Sequence, residues 1–151
     1  MRIILPLVFA ALAALLLVSW PAGEPVAAQS ASDGERALFP VCGGGRRVTC
    51  VVDGDTIWYR GAKIRIADID TPEVNRPACQ REAALGRRAT ERLRELLNAG
   101  AFTLEPPPSG RTRDRFGREL RVIKRGGQSL GQVLVSEGLA SRWGGQKRRW
   151  C

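Results

Sequence analysis

One segment, rich in strand-forming residues and interrupted by turn signals, constrains the fold of this chain more than any other. Arg46–Val52 and Thr56–Arg60 are rich in residues that favour strands, and they flank Asp53-Gly54-Asp55. Asp-Gly between two such runs is a strong signal for a hairpin turn. Arg60-Gly61 then turns the chain into a further predicted strand, Ala62–Ile69. The segment therefore predicts three consecutive strands joined by tight turns.

The hydrophobic pattern changes to a helical period after the third strand. A helix is predicted from Gln80, because five apolar residues recur on one face: Leu85, Ala89, Leu93, Leu96 and Leu97. Asn98-Ala99-Gly100 ends this helix. Ser129-Leu130-Gly131-Gln132 matches a capping box and opens a second predicted helix, which runs to Glu137.

Two more strands complete the predicted secondary structure. They are Ala101–Glu105, which ends at a run of prolines, and Glu119–Lys124. Strands and helices in this order indicate a small α+β domain. We expect it to be mainly β, a five-stranded antiparallel barrel with two to three helices packed on it. Strand number and domain size support closure of the barrel, whereas the periodicity does not show it.

The N-terminal segment has the pattern of a secretory signal. An apolar run from Ile3 to Val18 precedes small residues and a cleavage point after Ala28. We therefore expect a signal peptide over residues 1–28, a flexible linker over 29–40 and a folded domain over 41–151. The alternative is an uncleaved membrane anchor, because the run approaches the ~17 residues that span a bilayer. Both interpretations place the domain outside the cytoplasm.

The net charge and the lack of histidine limit which reactions and partners this chain can have. The chain has 24 Lys and Arg, 15 Asp and Glu and no His, for a net charge of +9. Hydrolases that depend on an imidazole are thereby excluded. All basic residues except Lys63, Lys124 and Lys147 are arginine, whose planar fork suits phosphate. A phosphate-rich polymer is the expected partner, and a solvated basic surface is the alternative.

The cysteines indicate disulfides. An even number of cysteines in an exported chain favours two bridges over free thiols. Three pairings are possible, and we favour Cys42 with Cys50 and Cys79 with Cys151. Zinc binding is the weaker interpretation, because the spacings contain no C-x-x-C pair and no histidine is present to complete a site.

A cluster of acids interrupts the apolar strands. Five acids lie within a short Ile- and Val-rich stretch, namely Asp53, Asp55, Asp68, Asp70 and Glu73. A hairpin brings the start of its second strand and the end of the next strand to one end of a sheet, so Asp55 and Asp70 can converge on one ion. Carboxylate and carbonyl oxygens favour calcium or magnesium. Turn chemistry alone is the alternative for Asp53-Gly54-Asp55.

Asp70-Thr71-Pro72-Glu73 adds parts that phosphodiester hydrolysis requires. Proline restricts its own backbone and that of the preceding residue, which gives these side chains a defined relation. Arg65 and Arg118 supply two guanidiniums. A base for water, a cation and fixed positive charge are the components of such a reaction.

These residues give the chain a resemblance to the staphylococcal-nuclease-like thermonucleases. The resemblance extends from about Val48 to Trp143 and rests on several motifs in a specific order, namely Val52-Asp53-Gly54-Asp55-Thr56, Ile64-Arg65-Ile66, Asp70-Thr71-Pro72-Glu73, Asp114-Arg115-Phe116-Gly117-Arg118 and Leu134-Val135-Ser136-Glu137-Gly138-Leu139-Ala140. It implies an OB-fold-type barrel with helices. It also implies calcium-dependent endonucleolytic cleavage of DNA and RNA that leaves 3′-phosphate ends.

The resemblance implies a role for each matching residue. Asp55 and Asp70 match calcium carboxylates, the carbonyl of Thr71 matches a backbone ligand, and Asp53 matches the acid behind them. Glu73 matches the general base. Arg65 and Arg118 match the arginines that hold the scissile phosphate and stabilise five-coordinate phosphorus.

The sequence departs from the family pattern at the substrate contacts. Where well-known family members have a lysine-tyrosine pair, this chain has Arg115-Phe116. Where they have the tyrosines that flank the nucleotide, this chain has Trp143-Gly144-Gly145. We expect Arg113, Arg115 and Trp143 to contact substrate. Trp143 or Trp150 offers a stacking face, with packing or C-terminal anchoring as the alternative. We also expect the Cys79–Cys151 bridge to replace a further C-terminal helix.

Two other functions compete with a calcium-dependent nuclease. One is an inactive OB-fold module that binds nucleic acid. The other is a disulfide-bonded secreted protein that binds acidic polysaccharide or membrane. That function leaves the acid cluster unexplained. For the nuclease we expect DNA and RNA as substrates, a monomer without a stable protein partner, and membrane contact only through an uncleaved signal.

Overall fold

The computed structural model describes residues 32–146 and 148–151. The predicted signal peptide, residues 1–28, lies outside the described residues. Ten elements follow in chain order: β1 Cys50–Asp53, β2 Thr56–Tyr59, β3 Ala62–Ile66, β4 Ile69–Asp70, α1 Gln80–Asn98, β5 Thr103–Glu105, β6 Glu119–Arg125, β7 Gln128–Ser129, α2 Leu130–Ser136 and β8 Ser141–Arg142. Among the described residues, no helix has the length and apolar character to cross a bilayer.

The three-stranded meander predicted from the turn signals is present. β1 pairs with β2 and β2 with β3, both antiparallel. The first strand is shorter than predicted, because it begins at Cys50 instead of Arg46. The third predicted strand is interrupted: β3 ends at Ile66 and β4 begins at Ile69. The Arg65 guanidinium donates hydrogen bonds to the carbonyl oxygens of Ile66 and Ile69, which secures this break.

The larger sheet is mixed, so the prediction of an antiparallel barrel is wrong in one pairing. Its strands follow the order β1-β2-β3-β6-β5, with β7 paired to β6. β3 and β6 are parallel. The chain between them contains α1, and such a crossover is what parallel neighbours require. β1 and β5 are the two ends of this path, so the strand pairing does not close a ring within the part of the chain that the structure describes.

The second, smaller sheet pairs β4 with β8. Ile69 faces Arg142 and Asp70 faces Ser141 across it. Neither β4 nor β8 was predicted as a separate strand, because two-residue strands carry too few residues for a periodic signal. This pairing places the segment after α2 beside the acidic segment that follows β3.

The core forms where the meander meets the two helices. On α1 the predicted apolar face is confirmed, since Ala89, Leu93 and Leu97 are fully buried. Leu85 and Leu96 pack at its margin. α2 begins as predicted, with the Ser129 hydroxyl accepting a hydrogen bond from the backbone N–H of Gln132 at 3.2 Å.

The described part of the predicted linker packs on the domain. Phe39 has no exposed surface. Its ring stacks on that of Tyr59 and lies at a tilt to that of Phe102. Glu35 forms a backbone bridge with Phe102. Phe39, which precedes Val41, is therefore part of the core, and a single aromatic residue gives no periodic pattern from which this could be predicted.

Both favoured disulfides are present. Cys42 pairs with Cys50 across 8 residues, and Cys79 pairs with Cys151 across 72 residues. The second bridge ties residue 151 to the position that caps α1, where the Cys79 sulfur accepts from the backbone N–H of Glu82 at 3.5 Å.

Candidate functional site

Four of the five acidic residues singled out in the sequence lie together at one end of the meander, whereas Asp68 contacts Ser129 and Gln132. We call Asp53, Asp55, Asp70 and Glu73 the acid wall. Asp55 occupies the turn between β1 and β2, and its backbone N–H donates to the Asp53 carboxylate at 3.2 Å. Its own carboxylate is almost fully buried. Thr56 donates to Oδ1 of Asp55 at 2.9 Å, and the Thr71 hydroxyl donates to Oδ2 at 2.9 Å. The hairpin turn is thereby joined to the segment after β4.

Two glycines allow α1 to approach this turn closely. A Cβ on Gly54 would lie 2.7 Å from the Ala89 side chain and 2.9 Å from that of Thr71. A Cβ on Gly86 would lie 2.7 Å from the Pro72 carbonyl oxygen. Side chains larger than hydrogen do not fit at either position without movement. The helix therefore packs directly behind the acid wall.

Arg65 links the acids to one another. Its side chain is only 9% exposed, and its Nη2 atom lies 3.2 Å from Asp55 Oδ2 and 3.2 Å from Asp70 Oδ1. Nη1 donates to two backbone carbonyls at the break between β3 and β4. A single nitrogen thus contacts both carboxylates that the sequence pairs as cation ligands.

Glu73 follows Pro72 and has an exposed side chain. Partial burial and the negative charges of Asp55 and Asp70 raise the pKa of its carboxyl group, against the opposing effect of Arg65. The loop around it is held by Glu82, whose carboxylate accepts from the backbone N–H groups of Glu73 at 3.4 Å and Ala78 at 2.6 Å. Glu73 is accordingly an acceptor whose proton affinity is greater than that of an ordinary glutamate.

Asp53 lies behind Asp55 and is the more strongly perturbed acid. Burial, followed by the charge of Asp55, raises the pKa of Asp53 from 3.8 to about 7. Burial and the neighbouring Asp55 therefore both disfavour the ionised form of Asp53, which a nearby cation would favour.

The second guanidinium comes from a loop on the other side of the site. We call residues 106–118 the arginine loop. Arg118 donates from Nε to Asp114 Oδ2 at 2.6 Å, and its backbone N–H donates to Asp114 Oδ1 at 2.9 Å. Burial opposes ionisation of Asp114, but these hydrogen bonds and one from Phe116 lower its pKa overall. The Phe116 ring lies 5.6 Å from the Arg118 guanidinium.

One cavity brings the two arginines together. Its volume is about 210 Å³, and Arg65, Arg118 and Trp143 all line it. Arg65 also lies over the Trp143 ring, 5.4 Å from its centroid. The fold thus converts residues that are far apart in sequence into one concave surface with two guanidiniums and an aromatic side chain.

The other predicted substrate contacts lie outside that cavity. Arg113 is exposed, donates to the Gly117 carbonyl oxygen at 2.9 Å and pairs with Glu119 at 3.3 Å. Arg115 is also exposed, and its guanidinium lies 4.7 Å from the Phe116 ring centroid. Both belong to the outer surface of the arginine loop. Trp143, by contrast, is 65% exposed and faces the cavity.

Sequence reasoning did not identify every residue of the site. Arg111 lines the cavity, and in the described part of the chain its guanidinium has no ion-pair partner. Asp114 positions Arg118, and Glu82 positions the loop that carries Glu73. Asp114 has a signal in the sequence. It begins the motif Asp114-Arg115-Phe116-Gly117-Arg118, in which an acid and a following glycine are typical of a turn. Arg111 and Glu82 have none that separates them from surface charges.

The acid wall fits a hard cation held by few ligands. Asp55 and Asp70 share one positively charged nitrogen, and the pKa of the neighbouring Asp53 is raised by its burial and by Asp55. Within residues 32–146 and 148–151, no three Asp, Glu, His or Cys side chains form a ready-made metal cluster. The two carboxylates that meet at Arg65 are oxygen ligands, which suit calcium better than zinc.

Comparison with known proteins gives consistent results. The family described as staphylococcal nuclease homologue matches residues 63–149. Endonuclease YncB of Bacillus subtilis (strain 168) is 39% identical over 94 residues, which are 59% of this chain and 43% of that protein. The SPbeta prophage-derived endonuclease YokF of the same organism is 40% identical over 94 residues, 59% of this chain and 31% of its own length. The chain spans less than half the length of these curated relatives.

Proposed function

Because this chain belongs to the family of staphylococcal nuclease homologues, we propose that it is a calcium-dependent nuclease. It hydrolyses phosphodiester bonds of DNA and RNA and leaves 3′-phosphate ends. One observation carries the proposal: Arg65 and Arg118 line the same cavity, and Arg65 is joined to the acid wall at 3.2 Å. The cavity thus offers positive charge to a phosphate, and Arg65 connects it to the acids that include the proposed base.

The two arginines bind the phosphate and stabilise charge that develops on it. Guanidinium groups donate in a planar fork that matches two phosphoryl oxygens. Donors held in place before the reaction stabilise a transition state more effectively than donors that must reorganise. Arg65 is held by its buried contacts and Arg118 by Asp114.

Glu73 acts as the general base. Its carboxylate accepts a proton from the attacking water, and its raised pKa increases its basicity. Its exposure leaves room for water beside its carboxylate. The Glu82 contacts keep its backbone in place during this transfer.

Asp55, Asp70 and the carbonyl oxygen of Thr71 would hold calcium, with Asp53 behind them. When bound, calcium supplies positive charge to the phosphoryl oxygens. The site has only two carboxylates, so we expect the protein to bind calcium weakly. Activity should therefore require calcium added to the solution.

We further propose that the protein is exported and acts as a monomer. The apolar run near the N-terminus and the paired cysteines support export, because disulfides persist in oxidising compartments. If the signal is retained, the domain would act at a membrane surface.

Hydrolysis of plasmid DNA and of RNA by residues 29–151 tests the function. We expect cleavage with calcium and none with a chelator. Glu73→Gln should lower turnover by ~10² to 10⁴ with the fold intact. Glu91→Gln, on the exposed face of α1, is the matched control. Tight binding of nucleic acid without calcium-dependent cleavage would instead identify an inactive OB-fold binding module.

A further inference from the structure

A second, larger groove begins on the other side of Trp143. Its volume is about 550 Å³, and it shares Pro107, Ser109 and Trp143 with the cavity that holds the two arginines. Asp68, Gln132 and Arg142 line this second groove but not the first cavity. The two spaces are therefore neighbours along one surface, and Trp143 is among the residues that line both.

Trp143 is fixed in this position although it is exposed. Its backbone N–H donates to the Asp68 carbonyl oxygen at 3.0 Å. Arg65 lies over its ring at 5.4 Å from the centroid. With one region of the ring held by Arg65 and 65% of the residue exposed, an aromatic surface remains available. An exposed, positioned indole is suited to stacking on a nucleobase.

Arg142 places a cation in the second groove. β8 pairs with β4, so that Arg142 stands opposite Ile69 and next to the residue opposite Asp70. Its side chain is exposed, and no carboxylate within residues 32–146 and 148–151 pairs with its guanidinium. An arginine in this state can bind a phosphate without first breaking an ion pair.

Asp68 orients a neighbouring amide. Its Oδ2 atom accepts from the Ser129 hydroxyl at 2.7 Å and from Gln132 Nε2 at 3.1 Å. The same Nε2 contacts the Asp68 carbonyl oxygen at 3.4 Å. Because Nε2 is used in this way, the Gln132 carbonyl oxygen is turned away from Asp68 and can accept from an N–H of a base edge.

We propose that the second groove binds the nucleotide adjacent to the one at the cleaved phosphate. Its base lies against Trp143 near the Gln132 carbonyl oxygen, and the next phosphate of the strand contacts Arg142. The inference rests on the proposed nuclease function, because continuity with the first cavity supplies the strand. The aromatic ring suits the base, the amide oxygen suits a base edge, and an arginine without a carboxylate partner among the described residues suits the phosphate.

Binding to short DNA tests this assignment separately from catalysis. The Glu73→Gln protein is titrated with a dinucleoside monophosphate and with a tetranucleotide, with calcium present. Arg142→Gln should lower the affinity for the tetranucleotide about tenfold. It should also reduce the slope of log K against log salt by about 0.7, as expected for loss of one phosphate contact on a single strand. Affinity for the dinucleoside monophosphate, which lacks the second phosphate, should stay unchanged.

Arg88→Gln on α1 is the control, because it removes the same charge from an exposed helical position. Equal tetranucleotide affinities for Arg142→Gln and Arg88→Gln would contradict the proposal that the second groove binds a nucleotide. So would a tetranucleotide that binds no more tightly than the dinucleoside monophosphate. Hydrolysis by the protein with Glu73 intact is scored independently: cleavage without an Arg142 effect rejects the groove alone, and an Arg142 effect without cleavage rejects the nuclease alone.

Discussion

The acid wall and the arginine loop are stabilised in different ways. The acid wall is held by contacts between residues distant in sequence, such as that of Asp55 with Thr71 at 2.9 Å, and it packs against α1. Arg118 in the arginine loop depends on Asp114, four residues earlier, and its side chain is 25% exposed. Changes in the acid wall should therefore affect both folding and activity, whereas changes in the arginine loop should affect activity alone.

The sharpest test compares the two arginines. Arg65→Lys and Arg118→Lys each lose the planar fork, and we expect turnover to fall by ~10² to 10³ in both. Only Arg65→Lys should also lower the melting temperature, since Arg65 is buried and bonds to two backbone carbonyls. Turnover and thermal melts are measured beside Arg87→Lys. Mild, equal losses of turnover in all three proteins would show that the arginines act only as a diffuse positive field.

The two disulfides differ in how much chain they enclose, and only one is tied to the acid wall. In the chain-entropy model the Cys79–Cys151 bridge, spanning 72 residues, contributes about 4 kcal/mol, and the Cys42–Cys50 bridge, spanning 8, about 2.5 kcal/mol. Cys151→Ala should therefore lower the free energy of unfolding more than Cys42→Ala. It leaves Cys79 in place as the cap of α1.

Peptide mapping without reductant and thermal melts of both variants measure this difference. A melting temperature unchanged by Cys151→Ala would contradict the stabilising role of the longer bridge. Four free thiols in the exported protein would contradict the pairing itself.

The sequence predicted local structure well and long-range pairing less well. The turn at Asp53-Gly54-Asp55 and the helix Gln80–Asn98 were predicted because their signals lie within a few residues. The parallel pairing of β3 with β6 was not, because it depends on how the crossover packs. Likewise the acids were visible as a cluster in sequence, but the cavity shared by Arg65 and Arg118 required the fold, because 53 residues separate them.

Titration of Asp53 distinguishes the acid wall from the arginine loop by pH. The folded pKa of Asp53 is about 7 against an ordinary value of 3.8, so between these values the folded protein keeps a proton that the unfolded chain has lost. The free energy of unfolding of the calcium-free protein should therefore fall as pH rises towards 7, by at most about 1.4 kcal/mol per pH unit. Asp53→Asn should remove this slope, and calcium should reduce it.

Asp114→Asn is the control for this titration. The pKa of Asp114 is lowered by its hydrogen bonds with Arg118, so its contribution is lost only on acidification below the ordinary range. Urea denaturation at pH 5, 6 and 7 measures all three proteins. An identical slope in wild type and Asp53→Asn would show that Asp53 does not titrate in this window.

The smallest expected effect tests how closely α1 approaches the acid wall. Glycine to alanine within a helix ordinarily stabilises by ~1 kcal/mol. At Gly86 the added Cβ would lie 2.7 Å from the Pro72 carbonyl oxygen and 2.9 Å from Val74, so the segment carrying Glu73 must move. We expect Gly86→Ala to lower the free energy of unfolding by about 1 kcal/mol and to reduce turnover as well. Gly43→Ala, where no atom beyond the chain neighbours lies within 4 Å of the added Cβ, should lower neither quantity. A more stable Gly86→Ala protein with full turnover would mean that the helix does not hold the acid wall in place.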